Sequence, residues 1–252
     1  MSEWVLRQLL ERQLPSPRVP LMIQYWTQLL FLHWRWAAAE IQKRLPGGLV
    51  VDTFDGTGWI GLVPFFMKGV RPSGFPALPL VSNFLELNLR TYVKDGAGRP
   101  GIWFFSLDAN QPLAVWTARM FFALPYRHAT MHASHRDGWT EYASARVGGG
   151  PMLEYRYRGV GPLQEAVFGS LEFFLVERYR LFASRRGQLL SGRVYHPPYQ
   201  LSGAEVSHCD TRLFRLDDLE SPSRPPDHVC YAPGLGVSVY ALELGGASAE
   251  TF

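Results

Sequence analysis

The sequence predicts an α+β protein, a single domain dominated by a curled antiparallel β-sheet or barrel with a few helices. Three observations carry this expectation. Residues 84–93 alternate with the two-residue period of a strand, and the turn DGAGRPG followed by Ile102–Leu107 makes an antiparallel hairpin. The remaining chain is a succession of short apolar-alternating runs punctuated by Gly and Pro, with few helical stretches. No repeat of fixed period and no compositional break divides the 252 residues.

Taken in order, Trp4, Val5, Leu6, Leu9 and Leu10 recur at helical spacing, so residues 3–13 form a short amphipathic helix that ends before Pro15. The aromatic-rich run 26–36 reads as a strand with Leu30, Leu32, Trp34 and Trp36 on one side, although its period alone leaves a helix open. His33 and Arg35 share the other side, read as a solvated edge. Residues 37–45 favour a helix that Pro46-Gly47-Gly48 stops. Leu49–Phe54 and Trp59–Met67 read as a hairpin around Asp55-Gly56-Thr57-Gly58, and residues 69–80 as a Gly/Pro-rich connection. After the hairpin at 84–107, residues 111–122 suit one buried helix with proline near its start, and a further strand begins at 124–128.

Strands follow at 141–147 and 152–158, while 171–182 fits either helix or strand. Residues 187–196 read as strand, turn and strand, 221–227 as a Pro-rich loop, and 237–244 as a final strand. The organisation expected is a helix and linker over 1–19, a β-rich domain over 20–245 and a disordered tail over 246–252.

The totals exclude several classes. Apolar residues at 47% and aromatics at 14% give a packed core and not a disordered chain. A net charge of +3 with scattered cations lacks the basic stripe of a nucleic-acid binder. Of the 25 basic residues 22 are arginine, so Lys43, Lys68 and Lys94 are the whole supply of side-chain amines. Cys209 and Cys230 read as solitary thiols in loops, without metal-ligand spacing beside His208 and His228. His128, His132 and His135 read as a surface cluster where a strand runs into a turn, and no metal is expected. Charges at Glu3, Arg7, Glu11 and Arg12 argue against a signal peptide, and the apolar run 21–36 is too short and too interrupted to span a bilayer. A cytoplasmic protein is expected, with a small-molecule ligand, no cofactor, no nucleic acid and no membrane as partner, and with a homo-oligomer left open.

Function turns on the strand at 84–93. Leu85, Leu87, Leu89 and Val93 share one face, and Glu86, Asn88, Arg90 and Tyr92 the other. On an ordinary half-buried strand the polar face meets water. In a curled sheet it lines a cavity instead, with the apolar face backing onto helices. Residues 86 and 90 lie about 13 Å apart along such a strand, so they flank a ligand more readily than they pair, with Asn88 between them.

Several stretches resemble the YqjF-like bacterial family of unknown function, which is thought to share the acetoacetate decarboxylase fold. They include LLFLHW (29–34), RLPGGLVVDTFDGTGWIGLVPF (44–65), ELNLRTYV (86–93), GIWFFSLDA (101–109) and VYHPPYQL (194–201). The resemblance implies an acetoacetate decarboxylase-like sheet enclosing a polar pocket. Glu86 resembles the pocket glutamate of the decarboxylases, and ARMFFALPYR (118–127) their Schiff-base segment, with Arg119 and Pro125 matching. Tyr126 stands where the nucleophilic lysine would be and Arg127 where its neighbour would be. A Schiff base requires a primary amine, so the parental decarboxylation is not expected here.

The candidates are therefore Glu86 and Tyr126 as catalytic groups, with Asn88, Arg90, Arg119 and Arg127 as substrate-binding ones. An arginine suits bidentate recognition of a carboxylate. The ligand expected is an organic acid or an enolisable carbonyl compound. The alternative is a structural or interaction protein that keeps the scaffold without chemistry.

Overall fold

The computed structural model describes residues 2–13, 19–79 and 81–244. The linker region at 14–18 and the tail expected to be disordered lie outside them. Helix α1 (Glu3–Glu11) precedes β1 (Met22–Trp36), α2 (Ala38–Gln42), β2 (Leu49–Val51) and β3 (Gly58–Pro72). Then come β4 (Phe84–Asp95), β5 (Pro100–Ala109), α3 (Pro112–Phe122), β6 (Tyr126–Arg136), β7 (Trp139–Arg146) and β8 (Leu153–Gln164). The chain continues with α4 (Leu171–Val176), β9 (Arg180–Arg185), β10 (Gln188–Tyr195), β11 (Leu201–Cys209), α5 (Leu213–Leu216) and β12 (His228–Leu244). No helix of the described residues is long and apolar enough to cross a membrane.

All twelve strands belong to one sheet, so the sheet-dominated α+β expectation holds. Its pairings run full circle: β10–β9, β9–β5, β5–β4, β4–β3, β3–β1, β1–β12 and β12–β10. A second run, β5–β6–β7–β8–β11–β12, spans from one side of that circuit to the other. The parallel pairings are β5–β6 and β5–β9, among otherwise antiparallel ones.

This curling explains why β1 and β3 read as nearly continuous apolar runs and why both faces of the alternating strand β4 are buried. Each is buried on both faces, one parity in each of two cores. Leu85, Leu87 and Leu89 pack with Leu30, Leu32 and Met131 in the core under β6–β8. The apolar face of β4 thus backs onto a second layer of sheet more than onto helices, which corrects the expectation. Phe84 and Tyr92 belong to the other core, with Leu29, Phe31, Val63 and Phe65. A bulge at Gln28, whose φ is 56°, resets the parity of β1. Gln24 and Trp26 before the bulge and Leu29 and Phe31 after it consequently face the same side.

Other local expectations are corrected. The 49–67 hairpin is not formed: β2 and β3 both pair with β4, as one interrupted strand. The loop between them keeps the tight turn, with Phe54 bridged to Thr57. Helix α3 is not buried, because Leu113, Trp116 and Met120 face outward while Val115 and Phe122 face in. Helix α1 buries Val5, Gln8 and Glu11 and exposes Leu6 and Leu10. The ambiguous 171–182 segment divides into α4 and β9, and 187–196 is one strand. Cys209 and Cys230 sit on β11 and β12, not in loops. Strand β6 runs on through His128, His132 and His135 instead of turning there.

Gly101 lies at a close approach of β5 and β9. A Cβ there would lie 2.6 Å from Phe182 Cε2 and 2.8 Å from the Arg180 carbonyl oxygen. The backbone oxygen cannot move without breaking the β5–β9 pairing. Gly101→Ala is expected to cost about 1–3 kcal/mol, read as a lower urea midpoint with an unchanged slope.

Candidate functional site

The inward face of β4 opens on a cavity of about 100 Å³ inside the strand circuit. Glu86, Asn88 and Arg90 line it from β4 and Tyr126 from the first residue of β6. Val63, Phe65 and Met67 of β3 and Leu107 of β5 form apolar walls. Arg178 and Arg180 also line it, from just before β9 and from its first residue. By the volume one water requires, there is room for a ligand of several heavy atoms.

The Tyr126 hydroxyl donates to Glu86 Oε2 at 2.7 Å, and the Tyr142 hydroxyl donates to the Glu86 carbonyl oxygen at 2.8 Å. The first bond orients the carboxyl group and the second fixes its strand. Burial pushes the Glu86 carboxyl up to about 7, while hydrogen bonds from Tyr126 and Asn88 pull against it and the Asp108 charge adds to it. Burial and then the charge of Glu86 hold Tyr126 well above its ordinary value, so it remains a phenol. At neutral pH this pair contains a carboxyl group poised between its two protonation states.

Arg90 is buried, 6% exposed, with its guanidinium 5.4 Å from the Phe31 ring centre and 5.8 Å from that of Tyr92. No carboxylate of the described residues pairs with it, and its Nε and Nη2 lack hydrogen-bond partners, as does Asn88 Oδ1. Its neighbours differ. Arg178 Nη1 binds Asp52 at 2.7 Å, and Arg180 binds both carboxylate oxygens of Glu11, at 3.0 and 3.1 Å. Two cations on the cavity wall are thus neutralised by the protein and one is not. A buried cation without a counter-charge is costly unless an anion joins it.

The sequence-derived residues divide in two. Glu86, Asn88, Arg90 and Tyr126 converge on the cavity, whereas Arg119 and Arg127 stand outside it. Arg119, on the exposed end of α3, donates from Nε to the Tyr126 carbonyl oxygen at 2.7 Å. Alternation along β6 sends Tyr126 inward and so turns Arg127 outward, where it is exposed. Neither is placed to bind a ligand in this cavity, which corrects that expectation. None of the three lysines lines it.

Arg178 and Arg180 carry no site signal in the sequence, because the 171–182 segment fits either helix or strand and neither period fixes where they point. His33, expected on a solvated edge, is placed differently. His33 is fully buried, with its Nδ1 3.0 Å from Nδ1 of His228, because the second parity of β1 faces a core too. Burial, His228 and Arg90 hold its pKa well below the ordinary histidine value. His196 is buried behind the wall against Tyr179, with its Nδ1 2.8 Å from the Pro197 carbonyl oxygen. Burial first, against that bond, brings it to about 4, so it is neutral at pH 7. Among the described residues no group of three or more His, Cys, Asp or Glu is placed to hold a metal ion.

Comparison with known proteins agrees with the fold. Over 187 residues, 74% of this chain and 77% of the other, the sequence is 38% identical to the uncharacterized protein YqjF of Bacillus subtilis. The enduracididine biosynthesis enzyme MppR, solved with pyruvate, superposes with a TM-score of 0.62 at 12% identity, over 91% of this chain and 92% of that one. Acetoacetate decarboxylase from Legionella pneumophila superposes with a TM-score of 0.59 at 10% identity, over 94% and 95%. At such identities the likeness establishes the fold alone. Residues 23–236 match DUF2071, described as an uncharacterized conserved protein, so the chain belongs to that family and carries the acetoacetate decarboxylase-like fold.

Proposed function

We propose that the cavity binds a small organic acid or enolisable carbonyl compound, with Arg90 as its anion site and the Glu86–Tyr126 pair as its proton-handling group. The observation that carries this reading is the buried guanidinium of Arg90, which no carboxylate of the described residues neutralises. A ligand carboxylate supplies the missing charge and accepts from Nε and Nη2 in the paired geometry that arginine favours. The Asn88 amide, with an unpartnered Oδ1, lies between Arg90 and Glu86 on the same face. That MppR was solved with pyruvate supports the reading only to the extent that a related scaffold accommodates a small oxo acid.

With a pKa of about 7, Glu86 is in part a carboxylate at neutral pH and can take a proton from a carbon next to a carbonyl group. Once Glu86 carries that proton, it no longer needs the Tyr126 hydrogen bond. The phenol is then free to donate to the enolate oxygen that forms. The proton returns from Glu86 to carbon, which makes the sequence an exchange or isomerisation. No lysine faces the cavity, so the reading contains no Schiff-base step.

The test is a thermal-shift screen of small carboxylates, pyruvate and acetoacetate among them, followed by proton NMR of the binders in D2O. The expected result is a rise in Tm at millimolar ligand and loss of the signal of the proton next to the carbonyl as deuterium replaces it. If no small carboxylate raises Tm, the reading fails. Binding without exchange would leave Arg90 its role and remove that of Glu86.

A further inference from the structure

The small cavity continues outward into a second concavity of about 410 Å³, between the 73–83 loop and α3. The two share Met22, Gln24, Met67, Phe122 and Tyr126, which form the neck between them. Beyond the neck the walls are hydrocarbon: Val70, Phe75, Leu78 and Val81 on one side, Leu113 and Ala114 on the other. The polar side chains there are engaged in shaping the walls. Arg71 Nη1 donates to the Gly69 carbonyl at 2.9 Å, and Ser82 Oγ accepts from the Leu78 amide at 2.8 Å. At the neck Gln24 accepts from the Trp26 indole at 2.8 Å, and Tyr126 donates to Glu86. With Arg71 and Ser82 turned to main-chain groups, the rest of the groove's wall beyond the neck is apolar.

Phe75, Leu78 and Leu113 stand more than half exposed around this groove. Apolar side chains grouped so, at the mouth of a polar site, are placed to be covered. We propose that the ligand carries an apolar tail: its acidic head lies at Arg90 and Glu86, and an unbranched alkyl chain passes Tyr126 into the groove between the loop and α3. The proposal rests on the reading of Arg90 as the anion site. What it adds is the substrate class, a medium-chain oxo acid in place of a bare short one. The continuity of the groove with the acid cavity selects the ligand itself as occupant, since a tail that leaves the cavity past Gln24 and Tyr126 enters this groove.

Calorimetric titration of the full chain with 2-oxo acids of four to eight carbons tests this. Each methylene that enters the groove should tighten Kd by about threefold to fourfold. The double variant Leu78→Asp/Leu113→Asp changes side chains that are 57% and 54% exposed, so the fold tolerates it. It should bind the four-carbon acid as wild type does and show no gain with length. A flat or falling series on the wild type overturns the proposal, as does an unaltered gain in the double variant. If the four-carbon acid binds and Arg90→Met abolishes that binding while the length series is flat, the anion site stands and only the tail is wrong. If no member binds, both readings fall.

Discussion

Arg90→Met is expected to weaken the binding of small carboxylates on the order of 100-fold and, in the same protein, to raise its thermal stability. The two effects have one cause. In the free protein the guanidinium of Arg90 is desolvated against Phe31 and Tyr92 without a carboxylate partner among the described residues. Its contacts with the ring faces recover part of the desolvation cost and no more. Methionine fills much of the same volume without a charge, and replacing a buried ionic group by a packed apolar one commonly stabilises by about 1–4 kcal/mol. Loss of the charge-assisted hydrogen bonds to a ligand accounts for the binding defect. Thermal unfolding and titration calorimetry on one preparation read both. A variant that binds normally, or that binds poorly because it is unfolded, contradicts the assignment. The same change at Arg178 is expected to behave oppositely, because it leaves the buried Asp52 carboxylate with the half-buried Lys94 as its one remaining cation among the described residues. That site should lose stability.

Glu86→Gln is expected to change how stability depends on pH. The folded carboxyl titrates near 7 and the ordinary one near 4.5, so the folded protein binds this proton more tightly than the unfolded chain. The stability Glu86 contributes is therefore fully present below about pH 4.5 and is lost as pH rises through about 7. Glutamine remains neutral throughout and lacks this slope. Between pH 4.5 and 8 the difference in unfolding free energy, variant over wild type, should grow by up to about 3 kcal/mol, or roughly 5–10 °C in Tm. Asp108, raised to about 6 by burial against the pull of Arg146, slopes in the same direction but is present in both proteins. His196, lowered to about 4, contributes stability that is lost as pH falls below its ordinary value, again in both. Subtracting the two curves isolates Glu86. A difference that stays constant with pH would show an ordinary carboxylate at this position.

How much of this was legible in the sequence depends on whether a residue's environment is set locally. Strand β4 and its hairpin to β5 were readable because period and turn chemistry are local. So was the set Glu86, Asn88 and Arg90, since parity alone places these side chains on one face. Whether that face met water or a cavity was not readable, because it depends on β9, β10 and β12 closing over it from more than 80 residues away. Arg119 and Arg127 were misplaced for the converse reason. A motif match fixes their positions in the chain, but the parity of β6 and the exposed end of α3 decide where they point. The Asp-Gly-Thr-Gly turn is legible from its local chemistry, yet its flanking strands prefer β4 to each other, which no local signal shows. The salt bridge that neutralises Arg180 joins it to Glu11 across 169 residues. The contrast between paired and unpaired arginines, on which the proposed function rests, is visible only in three dimensions.

The most direct test of that contrast is a crystal structure of the protein with 2-oxobutyrate. The ligand carboxylate is expected within hydrogen-bond distance of Arg90 Nε and Nη2, with the carbonyl end toward Glu86 and Tyr126. Arg90 turned out of the cavity or paired with a carboxylate of the protein, with the acid bound elsewhere, would contradict it.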